Sequence, residues 1–196
     1  MLIQKIKKIC KAEKKIVIVN RSDGSQWIGT NNALYPVLDI RLNRDSVAVL
    51  FDLGSDVEDY DIITVDAASL ENSGMTLCDT EDGETELSTM KFDLSFYGID
   101  CIPITDGEVA LCMKPEHLDP LKEYSERTYW LRRSDHWYYI AVKNGYQIIA
   151  VIGAYKYPPD IIEDIKVLIQ LAVQSRDGAD AEQSMLLLSD QGEVGE

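Results

Sequence analysis

The side chains from which catalysis or metal binding would be built are two histidines (His117, His136), four cysteines (Cys10, Cys78, Cys101, Cys112) and a surplus of carboxylates. A zinc site needs three or four ligands within reach of one ion, and the chain has neither Cys-x-x-Cys nor His-x-x-x-His spacing. The histidines therefore read as ordinary surface or edge residues. Ser134-Asp135-His136 holds the residue types of a hydrolase triad, but triad partners converge from separated positions, whereas adjacent residues on a strand or turn point apart. Asp79-Thr80-Glu81-Asp82-Gly83 is spaced somewhat like a calcium loop. Its glycine falls fifth instead of sixth, and the twelfth position is Met90 instead of a bidentate Glu, so it reads as a solvated acidic loop. Asp52, Asp56, Glu58, Asp59 and Asp61 offer oxygen ligands in the pattern of a charge run facing water. No phosphate loop, dinucleotide fingerprint or nucleophile elbow is present. The sequence assigns no catalytic residue, no metal ligand and no cofactor, and a metal-dependent enzyme is the class it supports least.

Two features suit binding. The N-terminal segment carries Lys5, Lys7, Lys8, Lys11, Lys14 and Lys15 against Glu13 alone. A helix there would present Lys7, Lys8 and Lys11 to phosphates, which makes them the candidate DNA-facing residues. Nine of the sixteen aromatic residues fall between Tyr124 and Tyr157. With Arg127, Arg132, Arg133 and Lys143 they could stack and clamp a single strand. The competing reading, that Tyr129, Trp137 and Tyr139 fill the core while the others line an edge, is preferred.

These residues must be positioned by regular elements. Leu2, Ile3, Ile6, Ile9 and Cys10 share one helical stripe over residues 2–11. Ile16 to Val19 is a β-branched run that predicts a buried strand. Further strands are expected over 26–29, 34–38, 47–53 and 62–65, then a polar loop or irregular hairpin over 71–91. Strands over 99–104 and 108–113 meet at Asp106-Gly107. A short helix over 116–124 has Asp119 as its cap and Pro120 in its first turn. Strands over 129–132, 137–142 and 146–151 form a meander, and Asn144-Gly145 is the strongest hairpin signal in the chain. Asp160 with Glu163 makes a capping box that opens a helix through about Gln174. Residues 175–196 read as a flexible acidic tail.

The chain nearly repeats itself. Arg21-Ser22-Asp23 and Arg133-Ser134-Asp135 each lead into a strand that contains Trp, a turn at Asn and a closing apolar strand. Each copy is preceded by a strand and a helix, which predicts two related α-β-β-β units at about 2–38 and 107–153. The fold class expected is α+β with antiparallel sheets, one domain over 1–174 and an added C-terminal helix.

Two helix-plus-three-strand units, the second preceded by a strand, resemble the repeating half-domain of DNA sliding clamps. The stretch from Glu108 to Leu121, a strand running into a helix start at Asp119-Pro120, is similar to a segment of the bacterial clamp, the polymerase III beta subunit. Tyr139 to Tyr157 resembles the clamp's last strands. The chain also resembles uncharacterised proteins encoded by phages and prophages, on the stretches Gln26-Trp27-Ile28-Gly29, Leu34-Tyr35-Pro36 and Tyr139 to Gly145. In the tail, Gln183-Ser184-Met185-Leu186-Leu187 is similar to the Gln-led, Leu-rich peptides that bind clamps, which makes Gln183, Met185, Leu186 and Leu187 candidate partner-binding residues. The resemblance implies a non-catalytic ring or partial ring built from several copies, with helices toward DNA and sheets toward partners. Three departures stand against it. Glu116, Asp119 and Glu123 give the second helix the wrong sign for DNA. The first unit has no preceding strand. Residues 39–105 have no counterpart in one clamp domain.

Composition sets the outer bounds. The 196 residues are 45% hydrophobic, which suits a packed interior. The net charge is −15, and eighteen carboxylates over 39–108 face only Arg41, Arg44 and Lys91. That imbalance argues against wrapping nucleic acid with the whole surface. No apolar run reaches bilayer-spanning length, lysines interrupt the place where a signal peptide would have its apolar core, and the scattered cysteines read as reduced. The expectation is a cytoplasmic accessory protein that acts through a protein partner, with DNA contact and homo-oligomerisation open and no membrane partner. The alternative is an interaction or regulatory module with no DNA contact.

Overall fold

A computed structural model describes residues 2–38, 40–90, 94–96, 99–134 and 137–156. The chain divides into two units, Met1–Lys156 and Tyr157–Glu196, and every described element lies in the first. The helix expected from Asp160, the tail and its Gln183, Met185, Leu186 and Leu187, and His136 all lie outside the described residues.

The unit is mixed α+β with one large sheet and few helices. Helix α1 (Leu2–Glu13) precedes an antiparallel meander of β1 (Lys15–Asn20), β2 (Gln26–Gly29) and β3 (Ala33–Val37). A 3₁₀ helix (Pro115–Leu121) precedes a second meander of β9 (Arg127–Arg133), β10 (Tyr138–Asn144) and β11 (Gln147–Lys156). The two meanders join through their last strands, with Leu34 opposite Val151 and Ala33 opposite Ile152. Between them in the chain lie α2 (Arg44–Leu50), β4 (Asp61–Asp66), α3 (Ala67–Glu71), β5 (Thr85–Thr89), β6 (Leu94–Phe96), β7 (Ile99–Thr105) and β8 (Ala110–Met113). Strand β5 pairs with β9 and β7, β7 with β8, and β8 with the far end of β11, so the path β10-β9-β5-β7-β8-β11 returns to β10.

Most strands fall where their sequence signals predict. The β10–β11 turn holds Gly145 at φ 60, and Asn144 pairs with Gln147. In the β7–β8 turn Gly107 sits at φ 96, and the Asp106 carboxylate accepts hydrogen bonds from the backbone N–H groups of Glu108 and Val109. Both glycines occupy the left-handed region that side chains rarely adopt.

Three expectations are corrected. The apolar stretch 47–53 is not a strand: 47–50 end helix α2, and 51–53 form the turn that leaves it. Asn43 accepts a hydrogen bond from the Ser46 N–H at 2.8 Å, and its own N–H donates to Ser46 Oγ at 2.7 Å, a reciprocal cap that commits the next turn to helix. Val47 and Phe51, one turn apart, are then both buried. The sheet is not wholly antiparallel, because β4 returns beside β1 in parallel after the α2 crossover. The helix near 116–124 is a 3₁₀ helix opening at Pro115, with Pro120 inside it and not in its first turn.

Both faces of the central strands are buried. On β1, Ile16 and Ile18 join the cluster that takes Ile6, Ile9 and Cys10 from α1, while Val17 and Val19 join a second cluster with Trp27, Tyr139, Met75 and Leu77. Strand β10 alternates the same way, Ile140 and Val142 against Tyr139 and Ala141. A strand covered on both faces reads as a continuous apolar run, as β1 does.

The second face is covered by the segment after α3, within the acidic stretch 72–90. Arg132 holds it there. Its guanidinium is fully buried, donates to Glu84 Oε2 at 2.8 Å from Nε, and reaches the carbonyls of Cys78 (2.9 Å) and Asp79 (3.3 Å). Tyr139 Oη donates to Glu81 Oε2 at 2.8 Å and accepts the Thr76 N–H at 3.1 Å. Lys143 pairs with Glu84 while lying 4.6 Å from the Trp130 ring centroid. Asp79 accepts the Ile148 N–H. The stretch read as a solvated loop thus turns three of its acidic side chains onto the sheet.

Replacing Arg132 with Met should cost about 3–5 kcal/mol, because Glu84 would be left half-buried against Lys143 alone and the carbonyls of Thr76, Cys78 and Asp79 would lose a donor. Chemical denaturation of the variant beside the unaltered chain measures this. A change under about 1 kcal/mol would refute the assigned role.

Candidate functional site

Among the described residues, an enclosed polar cluster separate from the Arg132 network lies where α1 ends against the 3₁₀ helix. Glu13 is the last residue of α1, and its side chain is 17% exposed. His117 is fully buried, and its Nε2 lies 3.1 Å from Glu13 Oε1. The other carboxylate oxygen accepts from Asn32 Nδ2 at 2.9 Å. Asn32 is itself held from several sides. Its N–H donates to Thr30 Oγ1, its carbonyl accepts the Gly153 N–H at 2.7 Å, and its Oδ1 accepts from Tyr155 Oη at 3.0 Å. Tyr35 Oη donates to the His117 carbonyl at 2.7 Å. This one cluster therefore links α1, the β2–β3 turn, β3, β11 and the 3₁₀ helix.

The tight β2–β3 turn that carries Thr30 and Asn32 requires Gly29. The Ala33 carbonyl, which accepts the Thr30 N–H at 2.8 Å, would lie 1.9 Å from any Cβ at that position.

Burial pushes the Glu13 carboxyl up, but hydrogen bonds from His117, Thr30 and Asn32 and the adjacent imidazole outweigh it and hold the group below the ordinary carboxylate range. Burial, reinforced by the Glu13 charge, pushes the Cys10 thiol up to about 12, so it is an inert thiol whose Sγ meets the Gly29 carbonyl at 3.3 Å. Burial and the neighbouring Cys10 and Glu13 also push the Tyr35 phenol up. His117 Nδ1 has no hydrogen-bond partner. Glu13, Glu116 and His117 each place one potential ligand atom within 4.8 Å of the others. The reading of His117 as a surface histidine is therefore corrected. Its apolar neighbours Leu118 and Leu121 draw the 3₁₀ helix into the core and the imidazole with it.

The three candidate DNA-facing lysines do not form one open stripe. Lys7 is ion-paired with Asp52, and Lys11 Nζ lies 3.4 Å from the Asp52 carbonyl. Lys8 is exposed, beside a cleft of about 230 Å³ that it shares with Glu116 and Asp119. The acidic run is likewise partly engaged, since Asp61 at the start of β4 pairs with Lys15 at the start of β1 at 2.9 Å. The aromatic–basic cluster is not an exposed stacking platform. Arg132, Tyr139 and Lys143 are buried, and Lys156 lies 4.4 Å from the centroid of the half-buried Tyr138 ring. Trp137, expected in the core, is 36% exposed and packs on Tyr139 at 5.5 Å.

An apolar groove of about 390 Å³ opens at the other end of α1, lined by Leu2, Ile3, Ile6, Leu38, Ile40 and Tyr124 among others. Leu38 is 70% exposed and Ile40 48%. None of the cysteines is in a disulfide. Among the described residues no helix is long and apolar enough to cross a membrane.

Sequence reasoning missed Glu13, Asn32 and His117 as a group. No local signal could have joined Glu13 to His117, which are 104 positions apart. Compared with protein-family models, with curated proteins and with solved structures, the chain shows no match. Geometry and chemistry alone carry the functional argument.

Glu13 and Glu84 both sit below the ordinary carboxylate range. A depressed folded pKa contributes stability that is full above the unfolded value, about pH 4.3, and is lost as pH falls through the folded value. Unfolding free energy should therefore drop steeply below about pH 4. Glu13→Gln should flatten that slope, and a pH series of denaturant melts reads it directly. An unchanged slope would show that Glu13 does not carry the effect.

Proposed function

We propose that this chain is a non-enzymatic accessory protein that acts through protein contacts, with its two helix-plus-meander units arranged in the manner of a sliding-clamp half-domain. The observation that carries the reading is the apolar groove beside α1 and β3, where Leu38 and Ile40 stand out from a surface otherwise rich in carboxylates. Exposed apolar side chains grouped around a groove are the usual mark of a contact site. The clamp-like arrangement draws support from the two meanders that meet through β3 and β11, each preceded by a helix, with α1 packed beside the 3₁₀ helix. The phage and prophage association is supported by the quoted sequence stretches alone.

A clamp-like chain of this length encircles nothing by itself, so the occupant proposed for the groove is a second copy. Light scattering of the full chain over a range of concentrations tests this. The expected result is a discrete oligomer that Leu38→Asp with Ile40→Asp converts to monomer. A monomer at every concentration would refute both the self-contact and the ring.

The interaction module without DNA contact is favoured over the DNA reading by one observation, the engagement of Lys7 and Lys11 by Asp52. If DNA is nevertheless a ligand, duplex binding should be salt-sensitive, lost when Lys7, Lys8 and Lys11 are changed to Glu, and strengthened by Asp52→Ala, which frees Lys7 from its ion pair. Fluorescence anisotropy at low and moderate salt distinguishes the cases.

A further inference from the structure

We propose that Glu13, Glu116 and His117 form a binding site for a divalent transition-metal ion of the zinc type. Each offers a donor atom within 4.8 Å of the other two. Donors bound to zinc at about 2.0–2.2 Å lie roughly 3.4 Å apart in a tetrahedron, and with His117 Nε2 and Glu13 Oε1 already 3.1 Å apart it is Glu116 that must close in. Glu116 can supply that movement. It is exposed and held only by Lys114 Nζ at 3.7 Å.

The second observation is the state of the imidazole. His117 is wholly buried, and its Nε2 already lies 3.1 Å from Glu13 Oε1. An ion between the two would replace this hydrogen bond, with His117 Nε2 and Glu13 Oε1 both as ligands. Glu13 is fixed in turn by Asn32, so the carboxylate is already oriented and needs little ordering when an ion arrives.

The donor types select the ion. One imidazole with two carboxylates suits zinc, manganese or ferrous ions better than magnesium or calcium, which take oxygen ligands throughout. Of the three donors, Glu116 lines the cleft, together with Asp119, Lys5, Lys8 and Lys122. Lysines on the same cleft compete for the carboxylates, so the affinity expected is on the order of micromolar and not that of a closed structural zinc site. Such an ion would fasten the end of α1 to the 3₁₀ helix, the two elements that introduce the two meanders.

The test is calorimetric titration of the full chain with zinc chloride and manganese chloride, together with the visible spectrum of the cobalt-loaded protein. The expected result is one equivalent bound, with d–d bands in the cobalt form. Glu116→Gln should weaken binding at least tenfold without altering the fold, since that side chain is exposed. Glu13→Gln should weaken it similarly, since it removes a charged ligand. Cys78→Ser, His136→Asn and Glu58→Gln should bind as the unaltered chain does. Absence of binding below millimolar metal would overturn the proposal. So would binding that survives Glu116→Gln, or that disappears with Cys78, His136 or Glu58.

Discussion

The buried guanidinium of Arg132 is the interaction on which the rest of the unit depends. The central strands are apolar on both faces, so neither face tolerates water. One is sealed by α1 and the 3₁₀ helix through ordinary apolar packing. The other is sealed by a segment with few apolar residues, of which Met75 and Leu77 reach the core. Burying two side chains contributes only a few kcal/mol, too little to order an acidic segment of this length against its conformational entropy. Charge supplies the remainder. Arg132 offers five donors in a planar fork, enough to collect two carboxylates and backbone carbonyls at once. The acidity of the stretch thus has a structural use within the fold.

The strand circuit follows from the same arrangement. Once the 72–90 segment is held, β5 lies beside β9 and leads into β7, and β8 carries the chain to the end of β11. Closing the path removes exposed edges on that side. Strand β4 has no described strand partner beyond β1, and it carries Asp61 and Asp66 at its ends, charges that discourage pairing with another sheet.

The two meanders are coupled through polar contacts as well as through the sheet. Asn32 contacts Glu13, Gly153 and Tyr155, and Tyr35 holds the His117 backbone from across the core. A disturbance at the α1 terminus would therefore reach β11 and the 3₁₀ helix directly. This position is a better place for a functional contact than the lysine face of α1, where cations and carboxylates already satisfy one another. The groove at the opposite end of α1 differs in kind, apolar and open, and suits a protein partner instead of an ion.

Much of the fold was legible in the sequence, because the signals involved are local. The β-branched run of β1, the turns at Asp106-Gly107 and Asn144-Gly145, and the apolar stripe of α1 each depend on residues within a few positions of one another. The first error, at 47–53, came from a short apolar run whose period fits strand and helix alike; the Asn43 cap settled the matter from just outside it. The other decisions belonged to tertiary structure. Whether an arginine faces nucleic acid or a buried carboxylate depends on which segment folds over it, and Glu84 reaches Arg132 from 48 residues away. Whether a histidine is a surface residue or a buried, half-satisfied donor depends on Glu13 arriving across 104. The sequence by itself determined the local elements and their turns, since backbone sterics and side-chain periodicity act over one or two turns of chain. Burial and charge pairing act between segments, so only the assembled structure decided which polar groups would be enclosed together.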